Sequence, residues 1–201
     1  LIFLIGRLAG GAVIAYQFFG SHIQIPNTPL TIFGTVLAIL LGFRVNNAYE
    51  RWWEARKLWG RIVNESRSAS RQLIAFVDKT HEEVKRQLVY RQIGYVYALR
   101  DHLRGLPVEP GIEPFFYEGE RKQLIRTANV PNSIMANQSA HVEQLRLEGI
   151  INSDQQRIVE DRFTALIDSQ GGCERIKKTV FPHDYQAYAT LFVNAFILVF
   201  P

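Results

Sequence analysis

From Thr28 to Phe43 the chain carries no charged side chain, and at Arg44 it turns abruptly basic and aromatic without a Gly-Pro break. That pattern predicts one helix that leaves a bilayer and continues into water. Leu1–Phe19 is apolar apart from Arg7, Tyr16 and Gln17, and Ala187–Phe200 is apolar apart from Asn194, with no ionisable group but Tyr188. A helix needs about 20 residues to cross a ~30 Å hydrocarbon core. The first run has that length, the second reaches it only if its helix continues past Phe43, and the third stops at Pro201. With no initiator Met and an end inside an apolar run, the chain reads as a fragment of a longer protein. A signal peptide is the alternative for Leu1–Phe19, but its basic n-region and small-residue cleavage site are missing. Gly6 and Gly10 instead have the small-xxx-small spacing at which membrane helices pack closely.

The middle of the chain predicts helices. Thr80-x-x-Glu83 resembles a capping box opening EEVKRQLVYRQIGYVYALRDHL, which Gly105 and Pro107 close. Val84, Leu88, Ile93, Val96 and Leu99 give this segment an apolar stripe. Residues 106–117 read as a Pro-rich loop, Val130–Pro131 as a break before a helix near Ser133–Glu148, and Gly149 as the end of that helix. Ser153-x-x-Gln156 is placed to cap the next helix, whose Ile158, Phe163, Leu166 and Ile167 point to a core. No segment alternates with period two over a useful length, so no sheet is expected. The fold class is all-α.

Composition alone suits a soluble domain, with 47% hydrophobic and 21% charged residues and a mean hydropathy of −0.05. The apolar residues are nevertheless concentrated at the two ends. Charge adds an orientation. Residues 20–27 (GSHIQIPN) contain no Lys or Arg, whereas Arg44, Arg51, Arg56, Lys57, Arg61, Arg67 and Arg71 follow Phe43 against only Glu50, Glu54 and Glu65. Lys and Arg near membrane ends stay on the cytoplasmic side. The expected organisation is therefore transmembrane helices 1 and 2 in residues 1–43, a cytosolic helical region in 44–182, and the start of a third transmembrane helix in 183–201. The expected place is a bacterial inner (plasma) membrane. Basic residues interleaved with Trp52, Trp53 and Trp59 also suit nucleic-acid binding; beside a membrane span the interfacial aromatic belt is the better account, and no nucleic acid is expected as a partner.

Catalytic chemistry finds little purchase. Cys173 has no partner for an internal disulfide, and its nearest His, His183, lies across Pro182, so a packing role is the better reading. His22, His81, His102, His141 and His183 lack metal-ligand spacing, and His81-Glu82-Glu83 lacks the second His of a zinc helix. Glu50 and Glu54 are spaced to share a metal, yet Arg51, Arg56 and Lys57 around them favour ion pairs. No enzyme activity, metal or cofactor is expected.

The second apolar run has two distinct rows. Gly34, Ala38 and Gly42 recur every four residues as a smooth stripe that a neighbouring helix can approach. Thr35, Ile39 and Phe43 repeat one residue on, about 100° round the helix. In a ring of identical helices such a bulky row can face the axis as a hydrophobic constriction that gates by dewetting. In a single packed chain the same row faces lipid or core. Spacing does not separate the two.

LGFRVNNAYERWWEARKLWGRIVNESR, and later GCERIKKTVFPHDY, resemble the bestrophin family in its bacterial branch. The likeness in order and spacing runs from about Thr28 to Ala187. It implies a homopentameric ion channel in a lipid bilayer, with an axial pore for small inorganic ions, a narrow hydrophobic neck, a wide cytosolic chamber and a second constriction near its base. The neck maps to Thr35, Ile39 and Phe43, with Thr35 departing from the usual bulky aliphatic residue. The lower constriction maps near Gln155, where relatives often have an apolar side chain. Animal members hold calcium in an acidic cluster after a fourth transmembrane helix; neither lies in this chain, so calcium is not carried over. The family implies chloride and other small anions, although some bacterial members pass monovalent cations such as sodium. Arg44, one residue past the neck row, faces sideways in this reading. A membrane-anchored helical scaffold that conducts nothing is the other reading of the same residues.

Overall fold

The computed structural model describes residues 10, 11, 13, 14, 16–18, 27–179 and 183–199, with side chains left out at 27–30, 183–186 and 197–199. The expectations for Gly6, for the loop at residues 20–26 and for the Pro182 step lie outside the described residues. All elements among the described residues are helical and none is a strand. In chain order they are α1 (Asn27–Phe76), a 3-10 turn (Lys79–His81), α2 (Glu82–Arg104), α3 (Glu109–Ile112), a second 3-10 turn (Glu113–Phe115), α4 (Glu118–Leu124), α5 (Val130–Leu147), α6 (Ser153–Lys178) and α7 (His183–Val199).

The chain divides into two compact units, one of Leu1–Trp52 with Thr179–Pro201 and one of Trp53–Lys178. α1 belongs to both. Its 50 residues extend about 75 Å at 1.5 Å per residue. Pro29 falls in its first turn, where a missing N–H costs no helical bond. By length and composition its apolar part can cross a membrane, and only 6% of that stretch is covered by the rest of the chain. A core helix of a soluble protein would be mostly covered. α7 adds a shorter apolar stretch, Ala187–Phe196.

The second unit has a conventional core. α2 packs on α5, α5 on α6 and α2 on α6. Ile62, Ala69 and Leu73 of α1 meet Leu88, Tyr95, Ala98 and Leu99 of α2, Ile134, Met135, Val142 and Leu145 of α5, and Val159, Phe163 and Leu166 of α6 in one buried cluster. The Tyr95 hydroxyl donates to the Leu166 carbonyl at 3.3 Å, and burial pushes its pKa up. Gly94 lets Phe116 lie against α2, because a Cβ there would overlap the Phe116 ring. The segment read as a Pro-rich loop is instead α3 with its 3-10 turn, and it seats Ile112 and Phe116 in the core.

The helix ends depart from the sequence reading in an instructive way. Asp78, not Thr80, caps the first turn after α1: its Oδ1 accepts from the Thr80 N–H at 2.9 Å and from the Thr80 hydroxyl at 3.0 Å. With the Thr80 hydroxyl so committed, Glu83 bonds Arg86 and Tyr117, and the capping box does not form. Pro131 does not break the chain before α5 but sits in its first turn, with the Asn129 side chain accepting from the Asn132 N–H. Gly105 closes α2 at φ 69° and Gly149 ends α5 at φ 72°, as expected. The apolar stripes are partly right: Leu88, Leu99, Phe163 and Leu166 are buried, while Ile93 and Ile167 are exposed.

Polar groups complete the core. Arg91 is nearly buried and forms a forked pair with Glu120 at 2.7 and 3.2 Å. Its other nitrogen lies 2.8 Å from His141 Nδ1. Facing a guanidinium, that nitrogen must accept, so the ring is neutral. Burial first and the Arg91 charge second hold the His141 pKa below its ordinary value of 6.5.

Two outcomes follow from this cluster. Arg91→Ala strands the Glu120 carboxylate in a mostly buried site and should cost about 3 kcal/mol or more, read as a lowered unfolding midpoint of the full chain in detergent. His141 is neutral when folded and charges more readily when unfolded, so its contribution is present above pH 6.5 and is lost as pH falls below it. His141→Gln keeps an acceptor for Arg91 without titrating. Melting curves should show a smaller acid-induced loss of stability in this variant; an unchanged loss would assign it to other groups.

Candidate functional site

Within the first unit one face of α1 is covered and another is bare. Phe33 lies 5.7 Å from Phe192 and 6.0 Å from Phe196 of α7, ring centre to ring centre. Gly34 lies on the same side, where a Cβ would stand 3.4 Å from the Phe196 ring, in ordinary van der Waals contact. Leu37 and Ala189 are buried in the same unit. At about 100° per residue, Phe33, Gly34 and Leu37 share one side of the helix, and Thr35, Ile39 and Phe43 centre roughly 160° away. Thr35 is exposed, Ile39 is 54% exposed and Phe43 is 60% exposed. Among the described residues the bulky row thus takes no part in the packing of the chain.

The small-residue stripe is divided. Gly34 serves the α7 contact, whereas Ala38 is exposed and a Cβ on Gly42 would meet nothing within 4 Å. Thr35 spends its hydroxyl proton on the Thr31 carbonyl at 2.9 Å. Its oxygen therefore remains an acceptor only.

Charge begins at Arg44, which is exposed. Beyond it, Asn46 donates to Glu50 at 2.8 Å, and Tyr49 packs on Trp52 with ring centres 5.8 Å apart. In the second unit Glu54 pairs with Arg175 at 2.7 Å. Ion pairs rather than a metal are the expectation for Glu50 and Glu54 beside Arg51, Arg56 and Lys57; Glu54 does form one, with Arg175, 121 residues along the chain, and not with Arg56 or Lys57.

Gln155 lies in the first turn of α6. Its Oε1 accepts from the Asn152 N–H at 2.8 Å, and its own N–H donates to Asn152 Oδ1 at 2.8 Å. This reciprocal cap stands one residue earlier than the Ser153-x-x-Gln156 expected, because Asn152 is the better cap and Gln156 donates to Glu143 instead. The Gln155 side chain is thereby folded back onto the helix end.

Cys173 is buried, and burial pushes its thiol pKa up, the opposite of what a nucleophile needs. Among the described residues no group of three His, Cys, Asp or Glu side chains is gathered to hold a metal. What the first unit presents is an uncharged, uncovered row on a membrane-length helix.

Residues 2–201 match the family profile described as Bacterial/Fungal Bestrophin protein. The chain is 31% identical over 170 residues to a voltage-dependent anion channel-forming protein of Nostoc sp., covering 82% of this chain and 55% of that one. It is 30% identical over 201 residues to the voltage-dependent anion channel-forming protein YneE of Escherichia coli, covering 98% of this chain and 65% of that one. It therefore spans between half and two thirds of the length of these relatives. A crystal structure of a bacterial bestrophin homologue from Klebsiella pneumoniae superposes with a TM-score of 0.89 at 25% identity, covering 98% of this chain and 74% of that one. On sequence and fold together, the chain belongs to the bestrophin family, in its bacterial and fungal branch.

Proposed function

We propose that this chain builds a passive ion channel, five copies enclosing one axial pore whose neck is the row Thr35, Ile39 and Phe43. The observation that carries the reading is that row's position: exposed, uncharged, and across α1 from the face that α7 covers. Five such rows facing an axis make a narrow apolar passage that holds water poorly and conducts only when wetted. In this reading residues 44–182 lie on the cytoplasmic side of a bacterial inner membrane, where the basic residues after Phe43 belong. The lower constriction near Gln155 is formed by a side chain already bonded to its helix cap.

The conducted ion is proposed to be chloride or another small anion, supported by the relatives' names as anion channel-forming proteins. A monovalent-cation channel of the same architecture is the second reading. It is favoured by Thr35, whose hydroxyl proton is already used and whose oxygen can only accept. Such an oxygen solvates a cation better than an anion.

Ile39→Ala and Phe43→Ala should each raise single-channel conductance severalfold in planar bilayers; unchanged currents in both would remove the neck from this row. Under asymmetric NaCl the reversal potential should fall near the chloride equilibrium potential, and a value near that of sodium selects the second reading. Full-length protein in liposomes that passes no ion above empty controls would leave a helical scaffold.

A further inference from the structure

The second unit leaves two surfaces unsatisfied, and they complement each other. Between α1 and α2 runs an open groove of about 660 Å³ with Val63, Ile74, Ile93 and Tyr97 on its walls and Arg67 and Arg71 beside them. Ile74 is 50% and Tyr97 40% exposed, a large apolar surface for a chain to leave to water. Neither arginine has an ion pair or hydrogen bond among the described residues. The Gln92 side chain on the groove floor is buried, and its Oε1 has no partner.

The other surface is the outer face of α6. Among the acidic residues whose side chains are described, Asp161 and Asp168 alone have neither ion pair nor hydrogen bond. Both are exposed, and they stand two helical turns apart on one side with Thr164 between them and exposed Ile167 alongside. The cations nearest on that face are already engaged, Arg157 with Asp154 and Arg175 with Glu54.

One protomer cannot join these surfaces to each other. Glu54, Leu58 and Glu65 of α1 meet α6 at Arg175, Gly172 and Arg162. The groove residues Val63, Arg67 and Ile74 lie roughly 150° round α1 from them. Two different patches that complement each other but cannot meet within one chain define a head-to-tail contact, which closes into a ring when the rotation between copies allows it.

We propose that the α1–α2 groove receives the α6 ridge of a second copy of this chain, with Arg67 and Arg71 taking the Asp161 and Asp168 carboxylates and Ile167 covering the apolar wall. This docking rests on the pentameric reading above and names the faces that build it. The aspartates are two turns apart and the arginines one; the long arginine stems make up the difference. Charge pairing of this kind fixes register and rejects wrong orientations.

The test is charge reversal and its rescue in the full-length protein, with assembly read by native mass spectrometry in detergent and helicity checked by circular dichroism. Arg67→Glu with Arg71→Glu should abolish the pentamer peak, and so should Asp161→Arg with Asp168→Arg. All four changes together should restore it. In native membranes, Ser70→Cys combined with Thr164→Cys on a Cys173→Ser background should give an oxidised ladder of linked copies. A wild-type pentamer that persists in both reversals, with no ladder, overturns this docking and leaves the pentamer standing. A wild-type monomer overturns the pentamer and the docking together. Reversals that keep the pentamer but shed co-purified anionic lipid assign the groove to a lipid and overturn the proposal.

Discussion

Helical period decides which side chains share a face, and over the 50 residues of α1 that constraint governs most of the structure. In the first unit the period gathers Phe33, Gly34 and Leu37 on one side, where the aromatic residues of α7 settle against a glycine. The opposite side is left with Thr35, Ile39 and Phe43. In the second unit the same period turns Ile62, Ala69 and Leu73 into a core and leaves Arg67 and Arg71 at its edge. An unbroken helix cannot hide all its faces behind one chain. The faces left over are where function and assembly have to be sought.

The buried polar groups have another task. Hydrophobic burial does not distinguish one rotation of α5 against α2 from its neighbours, but hydrogen bonds do. Gln138 donates to the Leu88 carbonyl at 2.8 Å, and Arg91 meets both Glu120 and His141, so the two helices pack in one register. A buried ion pair adds little net stability but strongly penalises arrangements that separate it.

Much of this was legible in the sequence. The charge-free run to Phe43, the abrupt basic turn, the helical character of the middle and the terminating Gly105 and Gly149 all follow from local chemistry. The errors are also local. Thr80 and Ser153 were reasonable caps, yet Asp78 and Asn152 offered stronger acceptors one or two residues earlier. The Glu54–Arg175 pair was out of reach, because nothing in a sequence brings together residues 121 positions apart. Phe116 was missed for a related reason: it is core only because Gly94, on another helix, leaves room for it. The bareness of the Thr35, Ile39 and Phe43 row is likewise a fact about which face α7 chooses, and period alone allowed either face.

The distribution of charge completes the physical picture. In the channel proposed above the row would carry no fixed charge, so an ion passing it would be selected by the cost of losing water and by the few dipoles it meets. Thr35 supplies such a dipole, and its bond to the Thr31 carbonyl points the proton along the helix and leaves the oxygen lone pairs free. An aliphatic residue at this position would offer neither. Arg44 is the first charge beyond the row, one residue on and about 100° round the helix from Phe43. Its field is therefore directed to one side of the row rather than along it. Selectivity in the proposed passage would then depend on a balance between an acceptor at one end and a displaced cation at the other. Each is weak alone, and in the proposed pentamer fivefold repetition around the axis would multiply both by the same factor, so their ratio, and not the number of copies, would decide the sign.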